Sequence, residues 1–260
     1  MSLDRFDAVS LDELVAQAPL LTRVDRKYVV LRSTLDGLLD ELDPATRVLE
    51  IDGLRALSYE SVYFDTPDLL SFRMAAQPRR RRFKLRTRGY LDTATAYLEV
   101  KTRGARGATV KERTEYAFAQ RRGLTCDARE EVADAFAAIG IDPDRVASLR
   151  PTVVTAYRRS TLLHPGAAAR ATIDTDLVWR ESATRGFALP HVAIVETKSG
   201  ATASAIDRLL WRRGVRAVSV SKYATGLATL HPELPRNRWA RLLRGPLWTT
   251  TRTEELSCAA

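Results

Sequence analysis

The chain has 260 residues and a hydrophobic content of 45%, enough for one large domain or two small ones with a real core. A net charge of +9 favours an anionic partner: nucleic acid, a membrane surface or a phosphorylated small molecule. Cys126 and Cys258 have neither disulfide nor metal-ligand spacing, which predicts a reducing compartment. We find no signal peptide and no run near the roughly 20 apolar residues of a transmembrane helix, and expect a cytoplasmic location.

The N-terminal quarter predicts two helices and two strands. Ser10 and Glu13 form a capping-box pattern for a short first helix that ends before Pro19. Ser33 is the predicted cap of a second helix that runs to about Leu42. Strands are predicted at Arg23–Leu31, with Lys27 on its polar face, and at Ala56–Thr66, which alternates and is rich in aromatic and β-branched residues.

The next segment, Pro78–Tyr90, reads PRRRRFKLRTRGY. In a strand, alternate side chains share a face. Five cations then share one face, and the other face carries few apolar residues with which to pack on a core. The shared cations are Arg80, Arg82, Lys84, Arg86 and Arg88. One interpretation is an exposed basic edge strand; the other is a strand that lines a site for a highly charged anion.

Further strands with one charged face follow in chain order. Glu99 and Lys101 share a face in Ala94–Lys101, and Lys111 and Arg113 share one in Thr109–Phe118, with a hairpin loop predicted at Thr102–Ala108. A helix is predicted from Asp127 to about Gly140. Each of the next three strands then places two polar residues on one face: Tyr157 with Arg159, Arg170 with Asp174, and Glu196 with Lys198. Their predicted ranges are Arg150–Thr161, Arg170–Val178 and His191–Lys198, followed by a helix at Thr202–Arg213, a last strand at Val215–Val220 and a closing helix capped by Ser221.

Lysine is scarce in this chain. Only six of the 41 basic residues are lysine, and five of the six lie in predicted strands, while Lys222 follows the last of them. Lysine is a compact point charge and arginine a planar fork, so this placement indicates positions where the shape of the cation matters, although codon usage alone would also make lysine scarce. The pattern predicts one α+β domain with an antiparallel, closed β-sheet of about eight strands, a wet, basic interior and surrounding helices.

The motifs RKYVV, SVYFDT, KLRTRGY, LEVKTR, KER, YRRS, RATIDTDL, IVETKS and SVSKYATG occur in this order. In that order they resemble the polyphosphate polymerase domain of the vacuolar transporter chaperone (VTC) family, within the triphosphate tunnel metalloenzymes and their CYTH relatives. The resemblance covers roughly Arg23 to His231. Two positions depart from it: Asp25 stands where the family often has Glu, and Ser219 where it has a further basic residue.

The resemblance implies a tunnel whose basic residues bind phosphate. Its implied catalytic residues are Arg86, Arg88, Lys101, Arg159 and Arg170, and the substrate-binding residues are Lys27, Lys84, Lys111, Arg113, Lys198, Ser221 and Lys222. Glu196 matches the acidic residue that holds Mn²⁺ or Mg²⁺, with Glu99 or Asp174 as further metal ligands. Hard divalent cations need only one or two carboxylates when phosphate completes their coordination.

Each of these residues also has a structural interpretation. Glu99–Lys101 and Glu196–Lys198 could be ordinary ion pairs worth under roughly 1 kcal/mol. Asp174 could pair with Arg170, Ser221–Lys222 could be a plain helix start, and Tyr63 and Asp65 are more readily explained by packing and turn chemistry. We favour phosphate binding at Lys222 because a cation in the first turn opposes the helix dipole unless an anion is beside it.

The predicted function is a metal-dependent polyphosphate polymerase acting on a nucleoside triphosphate and a polyphosphate chain. A triphosphatase of the same fold and a non-catalytic polyphosphate sensor are the alternatives; nucleic-acid binding is not expected, because aromatic residues do not interleave with the basic faces. We assign residues 1–233 to the tunnel domain and 234–260 to a basic amphipathic tail. The tail could bind an anionic membrane or a membrane protein, or dock on the barrel as a helix with a disordered end.

Overall fold

A mixed α+β architecture with a large antiparallel sheet is present in the computed structural model, which describes residues 3–17, 24–104, 109–165 and 169–252. In those ranges the strands are β1 (Asp7–Val9), β2 (Val24–Leu31), β3 (Arg47–Leu49), β4 (Leu57–Asp65), β5 (Arg82–Tyr90), β6 (Thr95–Arg103), β7 (Thr109–Tyr116), β8 (Arg150–Leu163), β9 (Arg170–Arg180), β10 (Gly186–Leu189), β11 (Val192–Ser199) and β12 (Thr251–Arg252). The helices are α1 (Leu11–Gln17), α2 (Arg32–Asp40), α3 (Leu70–Ala76), α4 (Cys126–Ala138), α5 (Ala205–Arg212), α6 (Lys222–Leu230) and α7 (Ala240–Leu243). None of the helices in these ranges has the length and apolar character needed to cross a membrane.

The tunnel is built from eight strands in the order β2-β11-β9-β8-β4-β5-β6-β7, each antiparallel to its neighbours. These are the strands predicted from alternation, so the predicted fold class is confirmed. One detail differs: within the described ranges no hydrogen-bonded ladder joins the edge strands β2 and β7. Strand β7 is exposed along almost all of its length and carries charge on both faces, which disfavours further pairing.

Strand β5 shows how the sheet separates its two faces. Phe83 and Leu85 are buried on the outer face, where Phe83 packs on Phe136 of α4 with ring centroids 4.4 Å apart. Lys84 and Arg86 lie on the inner face. Because β5 pairs with β4 on one side and β6 on the other, the exposed-edge interpretation of the arginine strand is wrong.

Several local predictions are confirmed. Ser10 and Glu13 form a reciprocal capping box at α1, and α5 ends before Gly214 with φ +74°, a conformation that favours glycine. Asp65 behaves structurally: its carboxylate accepts hydrogen bonds from the amides of Ser71 and Phe72 at the start of α3. The predicted loop tip at 105–108 and Pro19 lie outside the described residues.

Two local predictions are wrong. Ser33 does not cap α2, because the helix begins one residue earlier, at Arg32, with Leu31 as its N-cap. The segment Val215–Val220 is not a strand: one backbone hydrogen bond, from Val218 N to Lys27 O at 2.8 Å, joins it to β2, and a single bond does not make a ladder. The short strands β1 and β3, which form a parallel pair, were not predicted because three residues are too few to show alternation.

In the described part of the tail, two tryptophans pack on the sheet and its helices. Trp239 lies against Phe72 with ring centroids 5.9 Å apart, and Trp248 lies 5.8 Å from Trp179. Both are buried. The two tryptophans are thus covered by the fold, while Leu242, Leu243 and Leu247 are partly buried against the same core, and membrane association stays a prediction.

Gly226 sets the position of α6, whose first residue reaches the tunnel. A Cβ at Gly226 would lie 2.3 Å from Cδ1 of Trp179, which is fully buried and donates from Nε1 to Lys222 O at 2.7 Å. We expect Gly226→Ala to lower the free energy of unfolding by about 1–3 kcal/mol, because the enclosed indole cannot move aside. Chemical denaturation measures this; Gly200→Ala is the control, since no atom lies within 4 Å of that added Cβ.

Candidate functional site

All six lysines of the chain line one cavity of about 260 Å³ inside the tunnel, here called the basic chamber. They come from five different strands and from the start of α6. The full lining is Asp25, Lys27, Tyr63, Lys84, Arg86, Arg88, Glu99, Lys101, Lys111, Tyr157, Arg159, Glu196, Lys198, Val220, Ser221 and Lys222. The scarcity of lysine elsewhere therefore corresponds to a single place in the fold.

Three of the lysines form a row across neighbouring strands. Lys84 of β5 lies directly opposite Lys101 of β6, which lies opposite Lys111 of β7. Like charges directly opposite each other destabilise a sheet. A row of this kind is favourable when an anion binds across it, so the register itself indicates an anion site.

Two lysines of the chamber have lowered pKa values. Burial, followed by the charges of Arg86 and Lys101, lowers the pKa of Lys84 to about 7. Burial also lowers the pKa of Lys198, to about 8, although the neighbouring Glu196 opposes the shift. Both side chains are therefore partly neutral near physiological pH until an anion restores their protons.

These shifts predict a pH dependence of triphosphate binding. The bound anion raises the pKa of Lys84, so binding takes up a proton, and the association constant should fall as pH rises above 7, by up to about tenfold per unit. In Lys84→Arg the guanidinium stays charged, so the decline should begin near pH 8, where Lys198 titrates. Calorimetric titrations from pH 6.5 to 9 measure this; identical profiles for both proteins would contradict it.

Glu99 is enclosed by cations. Its Oε2 accepts from Nε of Arg86 at 2.8 Å, and its Oε1 lies 3.7 Å from Nη1 of Arg88 and 3.4 Å from Nζ of Lys111. Burial raises the pKa of Glu99, but the three cations outweigh it and keep the carboxylate ionised. Both oxygens are engaged, so this carboxylate orients Arg86 and Arg88 toward the chamber.

Asp174 has a similar role beneath Arg159 and Lys222. Arg159 donates to both of its oxygens, at 2.6 and 2.8 Å, and Lys222 also binds Oδ2. Burial opposes ionisation, yet Arg159 and Lys222 lower the pKa of Asp174 to about 2. Its observed partners are thus Arg159 and Lys222, and the carboxylate holds both cations in place at the chamber wall.

Glu196 is bound more loosely than the other two carboxylates. Its Oε1 lies 3.2 Å from Nζ of Lys27 and 3.4 Å from Nζ of Lys198. Burial raises its pKa, but these lysines outweigh the effect and lower it. Lysines at these distances are point charges and not forked partners, so Glu196 remains the carboxylate best able to share an oxygen with a metal ion.

The N-cap residue of α6, Ser221, lines the chamber. Ser221 Oγ accepts from the amide of Ala224 at 3.2 Å and from Nζ of Lys84 at 2.9 Å. The first-turn amides and Lys222 are thereby brought to the same wall as the lysine row. A phosphate at this end would be favoured by the helix dipole.

Most predicted site residues meet in the basic chamber, with three exceptions. Arg113 and Arg170 line an adjoining outer cavity of about 450 Å³, here called the vestibule, and Asp174 is buried beneath Arg159 and Lys222, which line the chamber. The sequence interpretation did not assign Tyr157, whose buried hydroxyl lacks a hydrogen-bond partner among the described residues. The sequence did contain a signal for Tyr157, because it precedes Arg159 by two residues and therefore shares its strand face.

The three predicted metal ligands do not form a cluster. No group of three or more His, Cys, Asp or Glu side chains that could hold a metal occurs in the described part of the chain. Glu99 and Asp174 are saturated by arginine and lysine contacts. The donor set fits a divalent ion held by Glu196 together with phosphate oxygens, which is enough for Mg²⁺ or Mn²⁺.

A family model described as the VTC domain matches residues 22–231. The chain belongs to the VTC domain family. The family predicted from the ordered motifs is thus confirmed, and the match covers all eight tunnel strands of this VTC domain. No match was found among the curated proteins.

Solved structures resemble this chain at low sequence identity. A Bacillus halodurans protein provisionally described as an adenylate cyclase is 14% identical, with 78% of this chain and 96% of that chain covered and a TM-score of 0.51. An adenylyl cyclase candidate from Hippeastrum, described with a dominant triphosphatase activity, is 15% identical over 80% of this chain and 96% of its own, with a TM-score of 0.48. The first likeness supports the tunnel architecture of this VTC domain and nothing beyond the fold.

Proposed function

We propose that this VTC domain is a metal-dependent polyphosphate polymerase that transfers the γ-phosphate of a nucleoside triphosphate to a growing polyphosphate chain. The observation that carries the proposal is the convergence of all six lysines on one chamber, beside arginines aligned by buried carboxylates. Polyphosphate carries a repeating negative charge, and such a chamber neutralises it over several phosphates at once.

The proposed transfer requires the protein to position the two substrates and to supply positive charge. A terminal oxygen of the acceptor chain forms a bond to the γ-phosphorus, the bond from that phosphorus to the β–γ bridging oxygen breaks, and its electron pair leaves with the nucleoside diphosphate. Phosphoryl transfer of this kind needs alignment and electrostatic stabilisation more than covalent help from side chains. Arg86, Arg88 and Arg159 supply forked donors, while Lys84 and Lys101 supply point charges on the chamber wall.

A divalent metal, when bound, would neutralise charge on the phosphate oxygens next to the transferred group. We propose Glu196 as its protein ligand. A carboxylate inside a site that only bound polyanions would repel them, so the presence of Glu196 in the chamber favours a metal-dependent enzyme over a passive polyphosphate sensor.

Water in place of the acceptor chain would make the same site a triphosphatase. Incubating the purified protein with ATP and Mn²⁺ or Mg²⁺, then assaying polymer and free phosphate separately, tests the proposal. Accumulation of polymer supports a polymerase, and free phosphate without polymer contradicts it in favour of the hydrolase. Arg159→Ala, which removes a chamber wall residue, controls for contaminating activity.

A further inference from the structure

Arg86 lies between two acceptors in a row that crosses three strands. Tyr63 of β4 is directly opposite Arg86 of β5, which is directly opposite Glu99 of β6. Oε2 of Glu99 accepts from Nε of Arg86 at 2.8 Å and also from Nη2, while the hydroxyl of Tyr63 accepts from Nη1 at 3.0 Å. Glu99 thus holds one edge of the guanidinium, and Tyr63 holds the remaining nitrogen.

These contacts fix the plane of the guanidinium. A guanidinium carries five N–H donors in a rigid fork, so one contact at each nitrogen leaves a second N–H on Nη1 and on Nη2. Arg86 lines the basic chamber, and this pair of donors can bind a phosphate there bidentately only if the plane faces it. With Glu99 alone, the guanidinium could turn about the edge that the carboxylate holds.

Tyr63 is itself held in place by α6. Its ring is buried and stacks on the ring of Tyr223, with centroids 5.2 Å apart and an interplanar angle of 26°. The hydroxyl of Tyr223 donates to Asp65, which follows Tyr63 by two residues in β4. Burial, followed by the carboxylate of Asp65, raises the pKa of Tyr223 well above its ordinary value, so this hydroxyl keeps its proton. Tyr223 therefore binds β4 at two points, and one of them is the ring of Tyr63.

Three consecutive residues at the start of α6 each contact a different strand. Ser221 accepts from Lys84 of β5, Lys222 donates to Asp174 of β9, and Tyr223 donates to Asp65 of β4. The carboxylate of Asp65 is fully buried and also accepts from the amides of Ser71 and Phe72, which makes it a fixed anchor. The first turn of α6 is thus held against three strands, and Tyr63 lies between this turn and Arg86.

We propose that Tyr63 is a positioning residue for Arg86. Its hydroxyl sets the plane of the guanidinium, and the contacts of Tyr223 keep the ring of Tyr63 where its hydroxyl reaches Nη1. Packing at the end of a strand, the role indicated by the sequence, explains the ring of Tyr63 but not the hydroxyl. This inference rests on the proposed function, since it needs Arg86 to bind phosphate, and it adds a residue that acts through Arg86.

Tyr63→Phe removes the hydroxyl and keeps the ring on Tyr223. We expect the association constant for inorganic triphosphate, measured by calorimetry without metal, to fall about three- to tenfold, the effect of losing one hydrogen bond. The kcat with ATP and Mn²⁺ should fall further, by about tenfold to 100-fold, because alignment matters most during the transfer itself, and KM should change less. Tyr116→Phe is the matched control: its hydroxyl donates to the carbonyl of Gly123 outside the chamber, and it should leave affinity and kcat unchanged.

A double-mutant cycle separates positioning from a purely structural role. In an Arg86→Ala background, Tyr63→Phe should have no further effect on triphosphate affinity, because the guanidinium that the hydroxyl positions is gone. Arg86→Lys, which keeps the charge and lacks the planar fork, is a second background with the same expectation. An equal loss with and without Arg86, or unchanged affinity in Tyr63→Phe alone, would overturn the assignment. If the wild-type protein did not bind triphosphate, the proposed function itself would fail, and this inference with it.

Discussion

Glu196→Gln should abolish metal-dependent turnover while leaving triphosphate binding without metal intact or tighter. The substitution keeps the size and hydrogen bonding of the side chain and removes the charge that would hold the metal. It also frees Lys27 and Lys198, which lie within 3.4 Å of Oε1, to interact with phosphate. We expect turnover with Mn²⁺ to fall by at least about 100-fold, since loss of an outer partner of a metal ligand already costs 10–100-fold.

The measurement compares initial rates with Mn²⁺ against calorimetric affinity for triphosphate in a chelator. Glu60→Gln is a matched control, because Glu60 is held by Arg121 and Arg122 on the outside of the chamber and should leave both quantities unchanged. Normal turnover in Glu196→Gln would show that Glu196 is not the metal ligand and would contradict the proposed metal site.

Leu85→Ala should mainly lower the stability of the protein and Lys84→Ala should mainly weaken triphosphate binding, although the residues are neighbours in β5. Leu85 is 1% exposed in the core beneath α4, and its truncation should cost about 2–5 kcal/mol of unfolding free energy. Lys84 faces other cations, so its removal relieves repulsion and should change stability little while weakening triphosphate binding. Arg86→Ala should likewise weaken binding more than folding, because Arg88 and Lys111 remain beside Glu99.

Denaturant titration and calorimetry on the same preparations separate the two effects. The decisive comparison is within β5, where the side-chain direction alternates with each residue. If Lys84→Ala or Arg86→Ala unfolded the protein and Leu85→Ala did not, the inner and outer faces of this strand would be assigned the wrong way round.

The tunnel could be predicted from sequence because alternation is a local signal. Lys84, Arg86 and Arg88 are separated by single residues, and their common face follows from strand geometry alone. The partners of Asp174 could not be predicted in this way. They depend on the register of β8 against β9 and on where α6 begins, and both are set by packing between segments far apart in the chain.

Other differences between the sequence interpretation and the structure have the same origin. Val215–Val220 has strand-forming residues, yet only one backbone bond connects it to β2. Arg113 shares a face with Lys111, but Lys111 lines both the chamber and the vestibule, whereas Arg113 lines only the vestibule. The sequence places Tyr157 on the face of Arg159, but only the structure shows that the cations of Arg159 and Lys222 lie over its ring and that its buried hydroxyl has no hydrogen-bond partner among the described residues.

The six lysines line one chamber, and we propose that this chamber is built for a triphosphate. Thermal unfolding with triphosphate and with sulfate at equal ionic strength is the sharpest test of that claim. A polyanion that binds only the folded state at 100 times its Kd should add about 2.7 kcal/mol, which raises the Tm by about 5 °C or more in a chain of this length. We predict that shift for triphosphate and a much smaller one for sulfate; equal shifts would show generic anion screening and contradict the claim.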